Sequence, residues 1–336
     1  MAEKYSRWRD QATGVQPFLY PLPPGNEVST VLELIAWPFG AIAGVVRTLL
    51  VVLLLVAQTL AVEGILRIFS FVPPLYSTLS RVSNAGICRT ILALLGVVWI
   101  NVDTIQLRKT GRSPPKVPFD PKKGDIIIAN SSSYIDLLFL VFRYNATLTL
   151  PITSGAASAT SAQIVGWRRV SLLRALFASG TLPQQATTSE TLTELVANAD
   201  GPVVIFPECT TSNNRAVLKF GDFAPTAAGE VKSARIFMLA FRYSPPTSFA
   251  PSLTHPIPTV AAPWLPIPLA HIYALTSRFV PYTLTIRRLH PSESPKQLDW
   301  SAMAETLAAT ARLKRVGALG WKEKAAFLEF RKLKGR

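Results

Sequence analysis

The sequence predicts an α/β protein with a mostly parallel central sheet and an N-terminal membrane hairpin. After Pro74, short apolar or β-branched runs alternate with helix-like stretches, which is the pattern of α/β domains. Two of these runs end in long polar loops, and α/β proteins place their sites at such strand ends. Ahead of Pro74 lies a long aliphatic region, too poorly patterned for the single apolar face of a core helix.

The composition favours contact with a lipid surface. The 336 residues carry a formal net charge of +15 although only 16% of them are charged, and the mean hydropathy is +0.28. A chain that is both basic and apolar is neither disordered nor typical of soluble enzymes, so an anionic membrane is the expected partner. Nucleic acid is not expected, because the sequence lacks zinc-ligand spacing, an RNP-like motif and a basic helix with a dimerising heptad. The two cysteines, Cys88 and Cys209, provide neither a disulfide framework nor a C-x-x-C metal site, which fits a reducing compartment.

The first 74 residues are predicted to form a polar tail and then a membrane segment. Residues 1–30 are polar and later rich in Pro and Gly, and Trp8 and Phe18 would let this tail lie against a surface. Residues 31–74 are mostly aliphatic, but the densest stretch, Leu49 to Val62, is shorter than the ~20 residues of a spanning helix. A hairpin in one leaflet and a single span are both compatible with this segment, and a buried core helix is an alternative that the length and the poor patterning of the region disfavour. We favour the hairpin, because basic residues on both flanks place both ends in the cytosol.

Residues 88–290 are predicted to form the α/β domain. The predicted strands are Val97–Leu107, Asp125–Asn130, Thr147–Ile152, Val203–Pro207, Arg235–Tyr243 and Tyr282–Leu289. The predicted helices are Ile87–Leu95, Tyr134–Tyr144, Ala162–Phe177 and Glu190–Ala199.

Residues 300–336 are predicted to form two basic helices separated by Gly317 to Gly320. The second helix has an apolar side, formed by Trp321, Phe327 and Leu328. This side could lie on an anionic membrane, and a solvated basic face is the alternative explanation for such a run of charge.

Two polar loops are the candidate site. The first, residues 130–136, reads Asn-Ser-Ser-Ser-Tyr-Ile-Asp, and the second, residues 206–215, reads Phe-Pro-Glu-Cys-Thr-Thr-Ser-Asn-Asn-Arg. The second loop combines hydroxyl and amide donors with the positive charge of Arg215, which together suit an anion such as a phosphate monoester. A plain surface turn would have a similar composition, but it would not begin with Phe-Pro-Glu after a buried strand.

This pair of loops resembles the lysophospholipid and glycerol-phosphate acyltransferase family. In that family one strand leads to Asn-His-x-x-x-x-Asp and a later strand leads to Phe-Pro-Glu-Gly-Thr. The likeness covers roughly residues 88–245, and Phe206-Pro207-Glu208 is its strongest part. The tail motif Glu3-Lys4-Tyr5-x-x-Trp8-Arg9-Asp10 and the basic C-terminus are also similar to fungal lysophosphatidate:oleoyl-CoA acyltransferases.

The resemblance implies a glycerol-phosphate acyltransferase-like fold and the acylation of lysophosphatidate, or of a related lysophospholipid, to phosphatidate. Acyl-CoA is then a substrate, and neither a cofactor nor a metal is required. Membrane lipids are the expected surroundings, at the endoplasmic reticulum or a lipid droplet, with the domain facing the cytosol. The implied site residues are Asp136 and Ser131 at the reacting hydroxyl, Glu208 ordering the second loop, and Thr210, Thr211, Asn213 and Arg215 on the phosphate.

The sequence departs from the family pattern at three places. Ser131 stands where the family has the histidine that takes the proton, Cys209 stands where it has glycine, and Gly180 to Gln185 lacks the expected arginine. A serine hydroxyl does not act as a base near neutral pH, so another group must do so. The candidates are Asp136 with its pKa raised by burial, or one of the histidines His255 and His271.

Further readings follow from the same departures. Cys209 could be a nucleophile, although unpaired cysteines are usually packing residues. The missing arginine could be replaced by Arg168, Arg169 or Arg174, which lie upstream. A catalytically silent protein of the same fold, which binds lipid or serves as a scaffold, is the alternative to an enzyme.

Overall fold

Eight strands form the central sheet of the described part of the chain. The computed structural model describes residues 3–23, 27–108, 117–156, 161–186, 188–228, 234–258 and 268–334. The sheet strands are β1 Val97–Ile105, β2 Ile126–Ala129, β3 Thr147–Thr153, β4 Ile164–Val170, β5 Gln184–Gln185, β6 Val203–Ile205, β8 Ile236–Arg242 and β9 Tyr282–Leu289; β7 Ala216–Val217 and β10 Lys314–Arg315 form a separate pair. The α-helices are α1 Glu27–Gln58, α2 Pro73–Leu94, α3 Tyr134–Tyr144, α4 Leu172–Ala178, α5 Leu192–Asn198, α6 Pro225–Ala228, α7 Leu269–Thr276, α8 Trp300–Ala311 and α9 Trp321–Lys334.

The strand order is β1-β9-β8-β2-β6-β3-β4, with β5 beside β3. The pairs β8–β9 and β3–β4 are antiparallel, and the other pairs of this sheet are parallel, so the predicted mostly parallel sheet is confirmed. Strands β2, β6 and β3 are parallel neighbours, with Ile127 and Leu148 both paired to Val204. Their carboxyl ends therefore meet at one edge of the sheet, where α/β proteins place their sites.

Helices cover both faces of the sheet. In β2, Ile127 joins a core that contains residues of α2, α3 and α7, whereas Ile126 and Ile128 join a core that contains residues of α5 and α8. Every residue of β2 is fully buried, which explains its uninterrupted apolar sequence. The first polar loop thus follows a strand that is packed on both faces.

The first helix is fixed to the domain through a seam of small residues. A Cβ atom placed on Gly40 would lie 2.6 Å from the carbonyl oxygen of Ser277, and one on Gly44 would lie 2.8 Å from the Ser277 Cβ, so only glycine allows this approach of α1 to α7. One turn on, Arg47 Nη1 donates to the Thr276 carbonyl oxygen at 3.4 Å. The helix also runs through Pro38 without ending.

The outer faces of the same helix are apolar and exposed. The helical run Trp37–Phe69 is long and apolar enough to cross a membrane, and only 22% of its most apolar window is buried in the protein. This low burial disfavours the alternative of a core helix. The chain reverses after Phe71, and α2 returns beside α1, where Gln58 Nε2 donates to Asn84 Oδ1 at 3.1 Å. The helix that returns, α2, therefore lies almost entirely beyond residues 31–74, the predicted membrane segment. The choice between a hairpin and a single span stays a prediction.

The N-terminal tail packs on the last helix of the chain. The Trp8 ring lies 5.3 Å from that of Phe327 and 4.8 Å from that of Phe330, and Phe18 is fully buried beside Phe327. Trp321 and Phe327 are 2% and 0% exposed, so the idea that they contact a membrane is wrong. Of the predicted tail, residues 1–2 and 24–26 lie outside the described residues.

One predicted element has the wrong type. The stretch Ala162–Phe177 is not one helix: its first half is the strand β4, antiparallel to β3, and Ser171 caps the short helix α4 that follows. The sequence Ile-Val-Gly-Trp-Arg-Arg-Val is rich in β-branched residues, and pairing with β3 satisfies its backbone. This change of element moves Arg168 to the edge of the sheet.

Candidate functional site

The two polar loops touch each other at the carboxyl ends of β2 and β6. The backbone N–H of Ser212 donates to the Ser131 carbonyl oxygen at 3.0 Å, and Asn214 Nδ2 donates to Ser132 Oγ at 2.8 Å. The loops are neighbours because their strands are paired in parallel and end at the same edge.

A cleft that is partly open to solvent lies where these loops meet β3, β4 and α4. Its polar lining comprises Ser131, Ser133, Thr149, Arg168, Arg174, Ser179, Thr181, Gln184, Cys209, Thr210 and Thr211. Its apolar lining includes Leu137, Leu150, Ile152, Ala175, Leu182 and Phe206. A cavity with one charged, hydroxyl-rich part and one apolar part suits an amphipathic ligand.

The buried carboxyl group of Glu208 links the two loops through hydrogen bonds. Its Oε1 accepts the backbone N–H of Ser131 at 3.0 Å, and its Oε2 accepts the N–H of Leu218 at 2.9 Å. The side chain is fully buried, and this burial raises the pKa of Glu208 to about 8, against the two backbone hydrogen bonds. Because one carboxyl group serves both loops, we expect the spacing between the loops to depend on it.

Asp136 is a capping residue behind the first loop. Its Oδ2 accepts the backbone N–H groups of Ser132 and Ser133 at 2.8 and 2.9 Å, in a capping box with Ser133 at the start of α3, and its Oδ1 accepts the hydroxyl of Tyr243. Burial raises the pKa of Asp136 to about 7, as the base hypothesis required. Asp136 does not line the cleft, however, and both of its oxygens already have partners. Asp136 therefore lies behind the first loop and outside the cleft.

None of the three histidines of the chain lines the cleft, although His255 lies directly behind it: the Thr211 hydroxyl donates to its carbonyl oxygen at 2.7 Å, and a Cβ atom on Gly180 would lie 3.1 Å from its Nδ1. His271 lies between the Tyr134 hydroxyl and the Ser252 carbonyl oxygen, at 3.0 and 2.9 Å from its two ring nitrogens. His255 is fully buried, and burial lowers the pKa of His255 to about 2 and that of His271 to about 4. His290 hydrogen-bonds to Ser292 in the turn that follows β9. Among the described residues that line the cleft, none is a histidine, an aspartate or a glutamate.

A buried lysine supports the second loop, and sequence analysis did not single it out. Lys324 Nζ donates to Thr210 Oγ1 at 2.6 Å, to the Thr211 carbonyl oxygen at 2.9 Å and to Thr211 Oγ1 at 3.3 Å. One signal could have found it: Lys324 lies three residues from both Trp321 and Phe327, which puts it on the apolar side of a basic helix. A lysine in that place needs a partner inside the protein.

The predicted phosphate ligands separate into two groups. Thr210 and Thr211 line the cleft, whereas Asn213 and Arg215 do not. The Asn213 side chain donates to the carbonyl oxygens of Gln16 and Leu19, so it holds the N-terminal tail. The roles predicted for these two residues stay predictions without support from their positions.

Two of the three upstream arginines reach the cleft. Arg168 on β4 and Arg174 on α4 both line it, and Arg169, whose side chain alternates to the other face of the strand, does not. Arg168 and Arg174 thus share the lining of the cleft with the hydroxyls of the second loop, which makes the cleft basic and rich in hydroxyl groups.

Cys209 occupies the glycine position of the family motif in a left-handed conformation, with φ 57°. Its thiol packs among apolar residues, including Ile164 and Trp321. Burial raises the pKa of the Cys209 thiol above its ordinary range, which disfavours the thiolate that a nucleophile requires. This backbone conformation is one that glycine adopts readily, and the thiol of Cys209 donates to the Pro207 carbonyl oxygen at 3.5 Å.

The chain is similar to known acyltransferases. Residues 104–236 match the Acyltransferase family model. Over 343 aligned residues, 99% of this chain and 99% of the other, it is 27% identical to a Schizosaccharomyces pombe protein named "Putative lysophosphatidic acid:oleoyl-CoA acyltransferase". No solved structure matches the chain significantly. The family match contains both loops and every residue that lines the cleft.

Proposed function

We propose that this chain transfers an acyl group from acyl-CoA to lysophosphatidate, and the match of residues 104–236 to the Acyltransferase family model supports the acyl transfer. The products are phosphatidate and CoA. The printed name of the fission yeast relative supports this choice of substrates. Acyl-CoA enters as a substrate, and the proposal needs neither a cofactor nor a metal.

The observation that carries the proposal is the pair Arg168 and Arg174 in the same cleft as Thr210 and Thr211. Guanidinium groups and hydroxyls together suit the phosphate monoester of lysophosphatidate, and the apolar wall suits its acyl chain. A lysolipid without phosphate would leave the two positive charges without a partner. The preference for a phosphate-bearing acceptor thus follows from the lining.

In the reaction, the free hydroxyl of lysophosphatidate attacks the thioester carbonyl carbon, a C–O bond forms and the C–S bond breaks. The hydroxyl proton leaves, and the CoA thiolate finally takes up a proton. The role of the first loop is to hold the acceptor, because Ser131 and Ser133 present hydroxyls at the cleft while Glu208 fixes the loop.

The proposal includes a membrane location, at the endoplasmic reticulum or a lipid droplet with the cleft on the cytosolic side. Exposed apolar side chains on α1 support contact with lipid: Trp37 and Phe39 are each 70% exposed, and Ile42 is 69% exposed. Both substrates carry acyl chains, so a membrane-bound enzyme meets them where they reside. Microscopy of the tagged chain against markers of the two membranes tests the location.

The test is acyl transfer from labelled oleoyl-CoA by the purified protein in detergent. Lysophosphatidate is compared with monoacylglycerol, which lacks the phosphate. We expect Arg168→Gln and Arg174→Gln each to raise KM for lysophosphatidate by about 10- to 100-fold, the value of a charged hydrogen bond. Arg169→Gln is the matched control, since Arg169 does not line the cleft, and it should change KM less than twofold.

Two outcomes would contradict the proposal. Equal activity of the wild type on both acceptors would remove the phosphate from the argument. Binding of lysophosphatidate without any transfer would instead favour the silent lipid-binding protein, whose supporting observation is that no imidazole or carboxylate occurs among the described residues of the cleft lining.

A further inference from the structure

Lys324 carries a buried amine for which the reaction described above has no use. Its side chain is 0% exposed, and Nζ lies 2.6 Å from Thr210 Oγ1. Thr210 lines the cleft, and its hydroxyl in turn donates to the carbonyl oxygen of Thr181, another lining residue, at 3.1 Å. Thr210 Oγ1 at the cleft and Lys324 Nζ behind it therefore form a continuous pair of polar atoms, which links the cleft to a titratable amine.

The surroundings of Lys324 favour its neutral form. Burial lowers the pKa of Lys324 well below its ordinary range, and the carboxyl group of Glu208 acts in the opposite direction. His255 is the other titratable group close enough to interact with it, and the charge of Lys324 is one cause of the low pKa of that imidazole. The tail and the rest of the surrounding cluster contribute apolar side chains. An amine in such a place loses its proton far more easily than one in water.

The geometry of Nζ fits a neutral amine as well as an ammonium group. A neutral amine still has two N–H donors for the oxygens of Thr211, and its lone pair can accept the Thr210 hydroxyl once that hydroxyl turns from the Thr181 carbonyl oxygen, to which it donates at 3.1 Å. The Thr210 hydroxyl oxygen is then free to accept a proton from a ligand in the cleft. Asp136 and Glu208 offer no such path, because the oxygens of both accept hydrogen bonds already and neither residue lines the cleft.

We propose, on the basis of the acyl transfer proposed above, that Thr210 and Lys324 form the proton relay that replaces the missing histidine. Thr210 is the residue that touches the acceptor hydroxyl, and Lys324 acts through it. In this role Thr210 does not contact the phosphate, which is left to Thr211, Arg168 and Arg174 in the same lining. As the acceptor oxygen attacks the thioester carbon, its proton passes to Thr210 Oγ1 while the proton of Thr210 passes to Lys324 Nζ. When the C–S bond breaks, the lysine ammonium returns the proton by the same path to the CoA thiolate.

The experiment measures kcat and KM for transfer from oleoyl-CoA to lysophosphatidate between pH 5.5 and 9, on the full chain in detergent. The variants are Thr210→Val, Thr210→Ser, Lys324→Met and Lys324→Arg, and Lys322→Met on the same helix is the control. The thermal midpoint of each variant is measured beside its activity. Thr210→Val decides the question even if the lysine variants do not fold, because it keeps the shape of the side chain.

We expect Thr210→Val and Lys324→Met each to lower kcat about 10²- to 10⁴-fold, the contribution of a general base, with KM changed less than threefold. The double variant should be no slower than the worse single variant, since both remove one relay. Thr210→Ser should keep most of the activity, and Lys324→Arg should lose it because arginine stays charged. The wild-type kcat should rise with pH as Lys324 loses its proton and then level off, and this rise should be absent from Thr210→Val.

A purely structural lysine gives a different result. If Thr210→Val keeps kcat within threefold and the same pH profile while the wild type is active, the relay is wrong and the proposed acyl transfer stands. If Lys324→Arg folds and stays active, the lysine serves only as a charge. If the wild type forms no phosphatidate at all, the proposed function fails, and the relay fails with it.

Discussion

Replacement of Asp136 by asparagine should change how the stability of the protein depends on pH. The native pKa of this carboxyl is raised from 3.8 to about 7, chiefly because it is buried. The native state therefore holds the proton more firmly than the unfolded chain does, and stability is full at low pH and is lost as the pH rises through about 7. The rise from 3.8 to about 7 corresponds to ~4 kcal/mol in total, and more than half of it falls between pH 5 and pH 8.

Asparagine keeps the local hydrogen bonds but cannot ionise. Its Oδ1 can accept both backbone N–H groups of the capping box, and its Nδ2 can donate to the Tyr243 hydroxyl, which is able to accept. The variant should thus gain stability relative to the wild type as the pH rises. At roughly 2 °C per kcal/mol, the difference between their thermal midpoints should widen by about 5 °C from pH 5 to pH 8.

The assay is thermal unfolding of both proteins in detergent at four values of pH, with Asp200→Asn as the control at an exposed carboxylate. Groups that titrate alike in both proteins cancel in the difference, and Glu208 cancels only in part because the charge of Asp136 contributes to its raised pKa. Parallel curves for the wild type and Asp136→Asn would refute the reasoning, because they would mean that Asp136 is ionised throughout. The same variant should lose less than tenfold in acyl transfer, whereas removal of a direct base costs about 10²- to 10⁴-fold.

Three further predictions concern the packing. Cys209→Gly should be at least as stable as the wild type and about 1 kcal/mol more stable than Cys209→Ala, because only glycine removes the strain of φ 57°. A higher thermal midpoint for the alanine variant than for the glycine variant would contradict this prediction. Gly44→Ala should lower the thermal midpoint, since its Cβ would lie 2.8 Å from the Cβ of Ser277. Gly86→Ala on α2, with open space around it, should instead raise stability by about 0.5–1 kcal/mol. Equal midpoints of the two variants would argue against the close contact of α1 with α7. Trp8→Ala should cost about 3–5 kcal/mol and make the tail sensitive to protease, because the ring packs 5.3 Å from that of Phe327; an unchanged digestion pattern would show that other contacts hold the tail.

Sequence analysis located the strands that end in the two loops, because both strands are short apolar runs followed by polar residues. It misassigned Ala162–Phe177, since an apolar stretch with three arginines has no clear period and its strand half depends on pairing with β3. It named Arg168 and Arg174 as candidates but had no means of separating them from Arg169. That separation depends on which side of β4 faces the cleft.

The sequence by itself determined the class of the protein. Its strand and helix patterns, the Phe-Pro-Glu block at Phe206 and the apolar N-terminal region are local features, and local features are encoded over a few consecutive residues. The tertiary structure decided which groups meet. Lys324 reaches Thr210 across 114 positions of the chain, and Asn213 is occupied by the tail 194 and 197 positions away. The chemistry of the cleft depends on contacts between distant segments, and such contacts form only when the helices and the sheet pack together.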